Sequence, residues 1–436
     1  MTKFKKKATD IFIKNVKKEK NLSEHNAQIL ANIVDFWFFH LEVYISEFSF
    51  EKLELLIKEN KFNLSLQRTI QNEVYGYEKL NKKFTKKKFV YKFTNKYLVL
   101  ILLFFLNHEI FLSGSGHKCS KIKSRLSNYF ISFFLENKSL KVSKKLKNNF
   151  FYDLENKKIY QKKDLAFIKD IIPDIFFMEN ISKNYFFNSI KINCSPSIFV
   201  EDEKYLPLLY LFNLVEIKGF QHGGGYGVWK DHALEEYEKK ISKSYNLWFP
   251  HSPKSEIGRY DYLTTNKYYN LSKVYWVGRT AHSKYMNNFI PNYLKKNEIN
   301  KVLHRIDDIF FSLDEFYYLP GIKKDWLPNK SKVRDHEQNA EKIILKRDVL
   351  IFDCFYSSLI YFAIKNKIVF YIIISKTSME GLNPMFLNWL EILHKNNFLY
   401  FIEENKMQSL YEKINLMTKN NIVFQKEKKK LEEINS

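Results

Sequence analysis

The chain predicts an α/β protein behind a helical lead-in, and three observations predict it. From about residue 97 to residue 402, short apolar runs of strand length alternate with helical stretches, the alternation that builds sheets covered by helices. Before residue 90 the apolar residues recur instead at helical spacing. The 436 residues exceed what one hydrophobic core usually holds, and a second set of runs begins near residue 245, so two α/β halves are expected. The organisation read from this is a basic tail and helical lead-in over 1–90, a first α/β half over 91–244, a second over 245–420 and a charged tail over 421–436.

In chain order, residues 1–20 carry KFKKK and KNVKKEK and read as a solvated basic tail. Residues 23–60 predict two helices, with Ile29, Ile33, Phe36, Phe39 and Leu41 near helical spacing and Ser49 as the N-cap of the second. Helix continues over 64–82, followed by a basic, aromatic-laced connector, KKFTKKKFVYK. In the first half the strand candidates are YLVLILLFF at 97–105, the stretch at 175–178, SIFV at 197–200 and VEIKGF at 215–220, with helices over 121–136, over 205–213 and from about Asp231. In the second half they are YNLWF at 245–249, VYWVGR at 274–279, KVLHR at 301–305, DVLIFD at 348–353, KIVFYII at 367–373 and FLYFI at 398–402.

The most informative stretch is EIKGFQHGGGYGVW at 216–229. Four of the twelve glycines of the chain fall within five residues there, directly after a predicted strand and His222. Glycine loses the most conformational freedom on folding, so such a cluster points either to positive φ or to a backbone that something approaches closely. The N–H groups of Gly223, Gly224 and Gly225, with a helix start just beyond, would suit a phosphate. A tight turn with a structural histidine is the other use of the same residues. The spacing is that of neither a P-loop nor GxGxxG.

The second stretch is 334–371. Asp335 can cap a helix, Asp348 opens a strand that ends in Asp353, and Ser357 and Ser358 fall where the next helix begins. Hydroxyls and free N–H groups at a helix start form a phosphate or ribose site, and a serine there also serves as an N-cap. Arg279, at the end of VYWVGR, is a further phosphate candidate, and His336 a further histidine.

Composition narrows the classes. The 71 basic against 48 acidic residues leave a net charge of +23, which favours anionic partners or reflects a compositional bias towards Lys, Asn, Ile, Phe and Tyr. Cys119, Cys194 and Cys354 are far apart with no CxxC, which argues against a disulfide scaffold or zinc site and for a reducing compartment. No apolar h-region follows the basic start, and YLVLILLFFL at 97–106 is short for a span, so a cytoplasmic location is expected. The lysines lack an RRM, KH or helix-turn-helix pattern, so nucleic acid is the less favoured partner.

The order strand, Asp353, two residues, aromatic, Ser357-Ser358, apolar helix, NK, strand resembles the donor-binding segment of bacterial surface-polysaccharide transferases of the GT-B fold. QHGGGYG at 221–227 is similar to the loop of one branch, the transferases of surface-carbohydrate biosynthesis, and RTIQNEVYGYEKLNKKF at 68–84 looks like that branch's helical lead-in. The resemblance spans residues 65–420. It implies two Rossmann-like halves of GT-B type and transfer of a sugar or related group from a nucleotide-activated donor to a glycan or lipid-linked acceptor, with no metal and no further cofactor. It also implies that His222 is catalytic, that Gly223, Gly224, Gly225, Asp353, Ser357 and Ser358 line the donor, and that Arg305, in KVLHRID, is a phosphate-facing arginine at a strand end. Ile306 stands where that family tends to have proline, Asp307 and Asp308 follow, and the part before residue 65 is shorter. An enzyme of this kind without a span would be held at the inner face of an anionic membrane by lysine clusters such as 3–7, 17–20, 82–88 and 138–147.

Overall fold

The structure, a computed structural model, describes residues 8–15, 24–58, 109–112, 127, 142–160, 162–172, 174–177, 190–196, 199, 208–209, 215–221, 223, 225–248, 273–278, 296–319, 343–344 and 346–435. The chain forms two compact units, one of Met1–His222 with Ala233–Asn246 and one of Gly223–His232 with Leu247–Ser436.

The first unit holds a parallel sheet in the order β1-β2-β3-β4, made of β1 (Glu109–Phe111), β2 (Ile190–Cys194), β3 (Val215–Phe220) and β4 (Ser244–Asn246). Its helices are α1 (8–15), α2 (Glu24–Lys58), α3 (Lys144–Asn156), α4 (Lys162–Ile171) and α5 (Ala233–Ile241). Asn26, fully buried in the first turn of α2, accepts from the Val215 amide and donates to the Leu209 carbonyl, both at 3.1 Å, while the His25 ring meets the Val215 carbonyl at 3.0 Å. These bonds satisfy the polar groups that open β3. Further along, Phe36 stacks on Tyr237 of α5 at 4.2 Å.

Several expectations are corrected in this unit. The basic tail contains α1, whose Ala8, Ile11 and Phe12 are buried; Phe12 sets its ring against Phe150, Phe176 and Phe177. Residues 23–60 give one helix of 35 residues with Ser49 inside it, because neither glycine nor proline interrupts Glu24–Lys58. The strand expected at 175–178 is a 3-10 turn, Asp174–Phe177. Phe199 of SIFV is helical. Strand 97–105, helix 64–82 and nearly all of helix 121–136 lie outside the described residues.

The second unit holds a five-stranded parallel sheet in the order β6-β5-β7-β8-β9, made of β5 (Val274–Val277), β6 (Phe316–Leu319), β7 (Val349–Phe352), β8 (Val369–Ile374) and β9 (Leu399–Phe401). Every residue of β5, β7, β8 and β9 is buried, which is why they read as unbroken apolar runs. The helices are α6 (Lys296–Phe310), α7 (Ser358–Asn366), α8 (Pro384–Lys395), α9 (Met407–Lys419) and α10 (Asn421–Ile434). KVLHR is not a strand but part of α6: Val302, Leu303, Ile306 and Phe310 are buried at helical spacing while His304 and Arg305 are exposed. YNLWF is strand only to Asn246; Trp248 packs its ring on Tyr361 of α7 instead. The charged tail at 421–436 is largely α10, with Phe424 and Leu431 buried. Among the described residues no helix is long and apolar enough to cross a membrane.

Candidate functional site

The second sheet fixes where a site can form. From β5 the chain passes to β6 on one side, and β7 then lies on the other side of β5. In parallel α/β sheets the crevice beyond the carboxyl ends, at the strand pair where the order reverses, is where ligands bind. That pair is β5 and β7, so the residues at its mouth are Gly278 after β5 and Asp353 onward after β7.

Gly278 is a steric necessity. A Cβ there would meet the Tyr318 Oη at 2.1 Å, and Tyr318 is itself buried, edge-on to Trp276 at 4.7 Å between ring centroids. Asp353 is 0% exposed, beneath the surface of the turn, whereas Ser357 and Ser358 are half-exposed. The Ser357 hydroxyl accepts from the Leu359 amide at 3.3 Å and caps α7. This is the capping use that the sequence left open, and Ser358 begins the helix, partly exposed.

The glycine stretch docks at the same segment of this unit. After Gly223 it turns through 225–228 and forms an antiparallel bridge between Trp229 and Leu382. The Val228 carbonyl accepts from the Asn383 amide at 2.9 Å, and the Lys230 amide donates to the Gly381 carbonyl at 3.0 Å. Trp229 is buried with its ring 5.6 Å from Phe355 and 6.2 Å from Tyr356. Tyr356 directly precedes the cap of α7, so the two stretches singled out in the sequence meet. Asn383 also caps α8, with Pro384 at its first position.

Within the stretch the glycines differ. Gly227 has φ +72°, a conformation that costs a residue with a Cβ roughly 1–2 kcal/mol. Gly223 and Gly225 have no such φ. A Cβ at Gly223 would come no closer than 3.7 Å to the Tyr226 ring, and one at Gly225 would lie 3.7 Å from the His232 Nε2. Backbone conformation therefore accounts for glycine at 227, and among the described residues the other two have room beside them. His232 stacks on Tyr226 at 5.3 Å.

His222, Gly224, Arg279 and His336 lie outside the described residues. Arg305 does not reach the site: it is exposed in the second half of α6, which leads into the start of β6 and so runs towards the amino edge of the sheet. The expectation of a strand-end arginine there is withdrawn. Gly278, Tyr318, Trp229 and the Gly381–Asn383 anchor were not foreseen. A glycine directly after a buried strand and the dipeptide Asn-Pro before an apolar helix were the available signals.

The class defined by these features is an α/β protein with two parallel sheets and a crevice-forming strand order in the second. Comparison with protein-family models, with curated proteins and with solved structures finds no match to this chain.

Proposed function

We propose that the protein is a GT-B-type, metal-independent transferase that moves a sugar or related group from a nucleotide-activated donor to a glycan or lipid-linked acceptor of a bacterial surface polysaccharide. The observation carrying this reading is the docking of the glycine stretch, through Trp229, onto Phe355 and Tyr356 beside the start of α7. It sets the glycine stretch beside the segment that carries Ser357, Ser358 and the start of α7. The leaving group in such a transfer is a phosphate whose charge grows in the transition state, and fixed N–H dipoles stabilise it without reorganising. His222, immediately before the docked segment in sequence, is assigned the catalytic role, and Gly223 and Gly225, with room for a Cβ among the described residues, are assigned to line the donor.

A screen of nucleotides and nucleotide-sugars by thermal shift tests the reading. A donor at a hundred times its dissociation constant should add about 2.7 kcal/mol of stability. His222→Ala should keep the fold and lose turnover. A His222→Ala variant with wild-type turnover would remove His222 from the mechanism; no stabilisation by any nucleotide would remove the transferase reading altogether.

A second reading, a donor-binding scaffold of the same fold without turnover, is favoured by one observation. Arg305 faces solvent rather than a phosphate, which leaves the site one cation poorer. Stabilisation by a nucleotide-sugar with no transfer and no hydrolysis would select it.

A further inference from the structure

The described residues leave a cavity of about 390 Å³ between the end of α7 and α10, against the start of β8 and so at the sheet edge opposite the crevice. Lys365 and Lys367 rim it from one helix and Lys428 and Lys429 from the other, while Ile364 and Leu431 supply an apolar floor. Its volume falls within the usual range of small-molecule sites, roughly 300–1,000 Å³.

The helices hold these lysines in place for definite reasons. Lys367 is the left-handed C-cap of α7, φ +56°, with its amide donating to the Ala363 and Ile364 carbonyls. On α10 the buried pair Phe424 and Leu431 sets the inward face, so KEKKK must place Lys428 on the flank and Lys429 outward. The acids beside them are Glu432 and Glu433; Glu432 lies 3.4 Å from the Lys367 Nζ. Neither Lys428 nor Lys429 has an ion pair among the described residues. Four lysines against two carboxylates leave the rim positive.

We infer that this cavity is a binding site for a phosphate group carried on a carbon skeleton, the phosphate held by Lys428 and Lys429 and the carbons lying on Ile364 and Leu431. Hydrogen bonds from ammonium to phosphate are roughly twice as strong as neutral ones, and the apolar floor favours an organophosphate over a bare ion. Two sources share this chemistry, a soluble phosphate ester and a lipid headgroup. Ile422 is 81% exposed and lies about two turns before Lys429 on the same face of α10, where it would give a lipid-borne phosphate an apolar contact. The site is independent of the transferase reading and stands or falls without it.

The test uses the full chain at about 0.1 M salt, where the Debye length is roughly 10 Å. Glycerol 3-phosphate is titrated by calorimetry, and cosedimentation is measured with phosphatidylcholine vesicles with and without phosphatidylglycerol. At least one phosphate carrier should bind, and Lys428→Gln/Lys429→Gln should weaken it by about tenfold or more, since each bond to a charged group is worth more than a neutral one. Lys191→Gln/Lys301→Gln removes the same charge from exposed positions elsewhere and should change it by less than about twofold, as expected of screened surface charge. Binding of glycerol 3-phosphate alone assigns a soluble ester; binding to phosphatidylglycerol vesicles alone assigns the headgroup. No binding of either carrier, or an equal loss in both double variants while both keep the wild-type melting temperature, overturns the site.

Discussion

Gly227 and its neighbours Gly223 and Gly225 carry the same residue for different reasons, and substitution separates those reasons. Gly227→Ala should cost about 1–2 kcal/mol, because φ +72° is unfavourable for any residue with a Cβ. Among the described residues Gly223→Ala and Gly225→Ala meet nothing closer than 3.7 Å, so denaturant midpoints should move by no more than the roughly ±0.5 kcal/mol usual away from special positions. If these glycines line the donor, the same two variants lose nucleotide-induced stabilisation; retention of that stabilisation would return them to the turn. Ser357 poses a similar choice. Ser357→Ala should cost about 1 kcal/mol through the lost cap to the Leu359 amide, and unchanged donor affinity in that variant would limit the residue to capping. At Gly278 the expectation is overpacking of about 1–3 kcal/mol on substitution by alanine. Because the nearest atom is the Tyr318 Oη, Tyr318→Phe should recover part of that loss in a double-mutant cycle.

Helix α10 shows how an element escapes reading from sequence. KEKKKLEE looks solvated, yet Phe424 and Leu431, seven residues apart, bury one narrow stripe; Phe424→Ala should cost about 3–5 kcal/mol in urea unfolding. Against the same part of the sheet, Lys413 pairs with Glu427 at 2.7 Å and its ammonium lies over the Tyr371 and Phe398 rings. Burial first and Glu427 second push the Tyr371 and Tyr400 hydroxyls above their ordinary value of 10.0. A group that keeps its proton longer when folded stabilises fully below its unfolded pKa, and that contribution is lost as pH climbs beyond about 10. Stability should therefore fall above pH 10, and Tyr400→Phe should lessen the slope. The strands β5, β7, β8 and β9 were legible because both faces are covered and the runs are continuous, and β3 because its buried Val215 and Ile217 alternate with Glu216 and Lys218 before Phe220. β2 was not, since Lys191 interrupts a five-residue strand, and KVLHR misled because five residues do not separate a period of 2 from 3.6. Asp353, Ser357 and the glycines could be placed at element ends from the sequence. The seat of Trp229 on Leu382 could not, because it depends on residues far apart in the chain.

At the scale of the whole molecule, the chain passes between its two units three times, after His222, after His232 and after Asn246. The ten residues between the first two crossings belong to the second unit although β3 and α5 on either side belong to the first. The second unit is thus completed by a segment that precedes the rest of it in sequence. Without that segment the Asn383 amide and Gly381 carbonyl lose their partners, and Phe355 and Tyr356 lose the indole packed beside them. In the full chain, Trp229→Ala should cost about 3–5 kcal/mol, the usual loss for a large buried aromatic, with increased hydrogen exchange at 353–360 and 381–386 rather than in α2 or β3. A fragment of residues 247–436 should melt lower than the same fragment carrying 221–232 on a flexible linker, and a free peptide of that sequence should raise its melting temperature in proportion to the logarithm of peptide concentration. A fragment that melts identically with and without the peptide, together with a Trp229→Ala chain that exchanges like wild type at 353–360, would show that the glycine stretch rests on the second unit without supporting it.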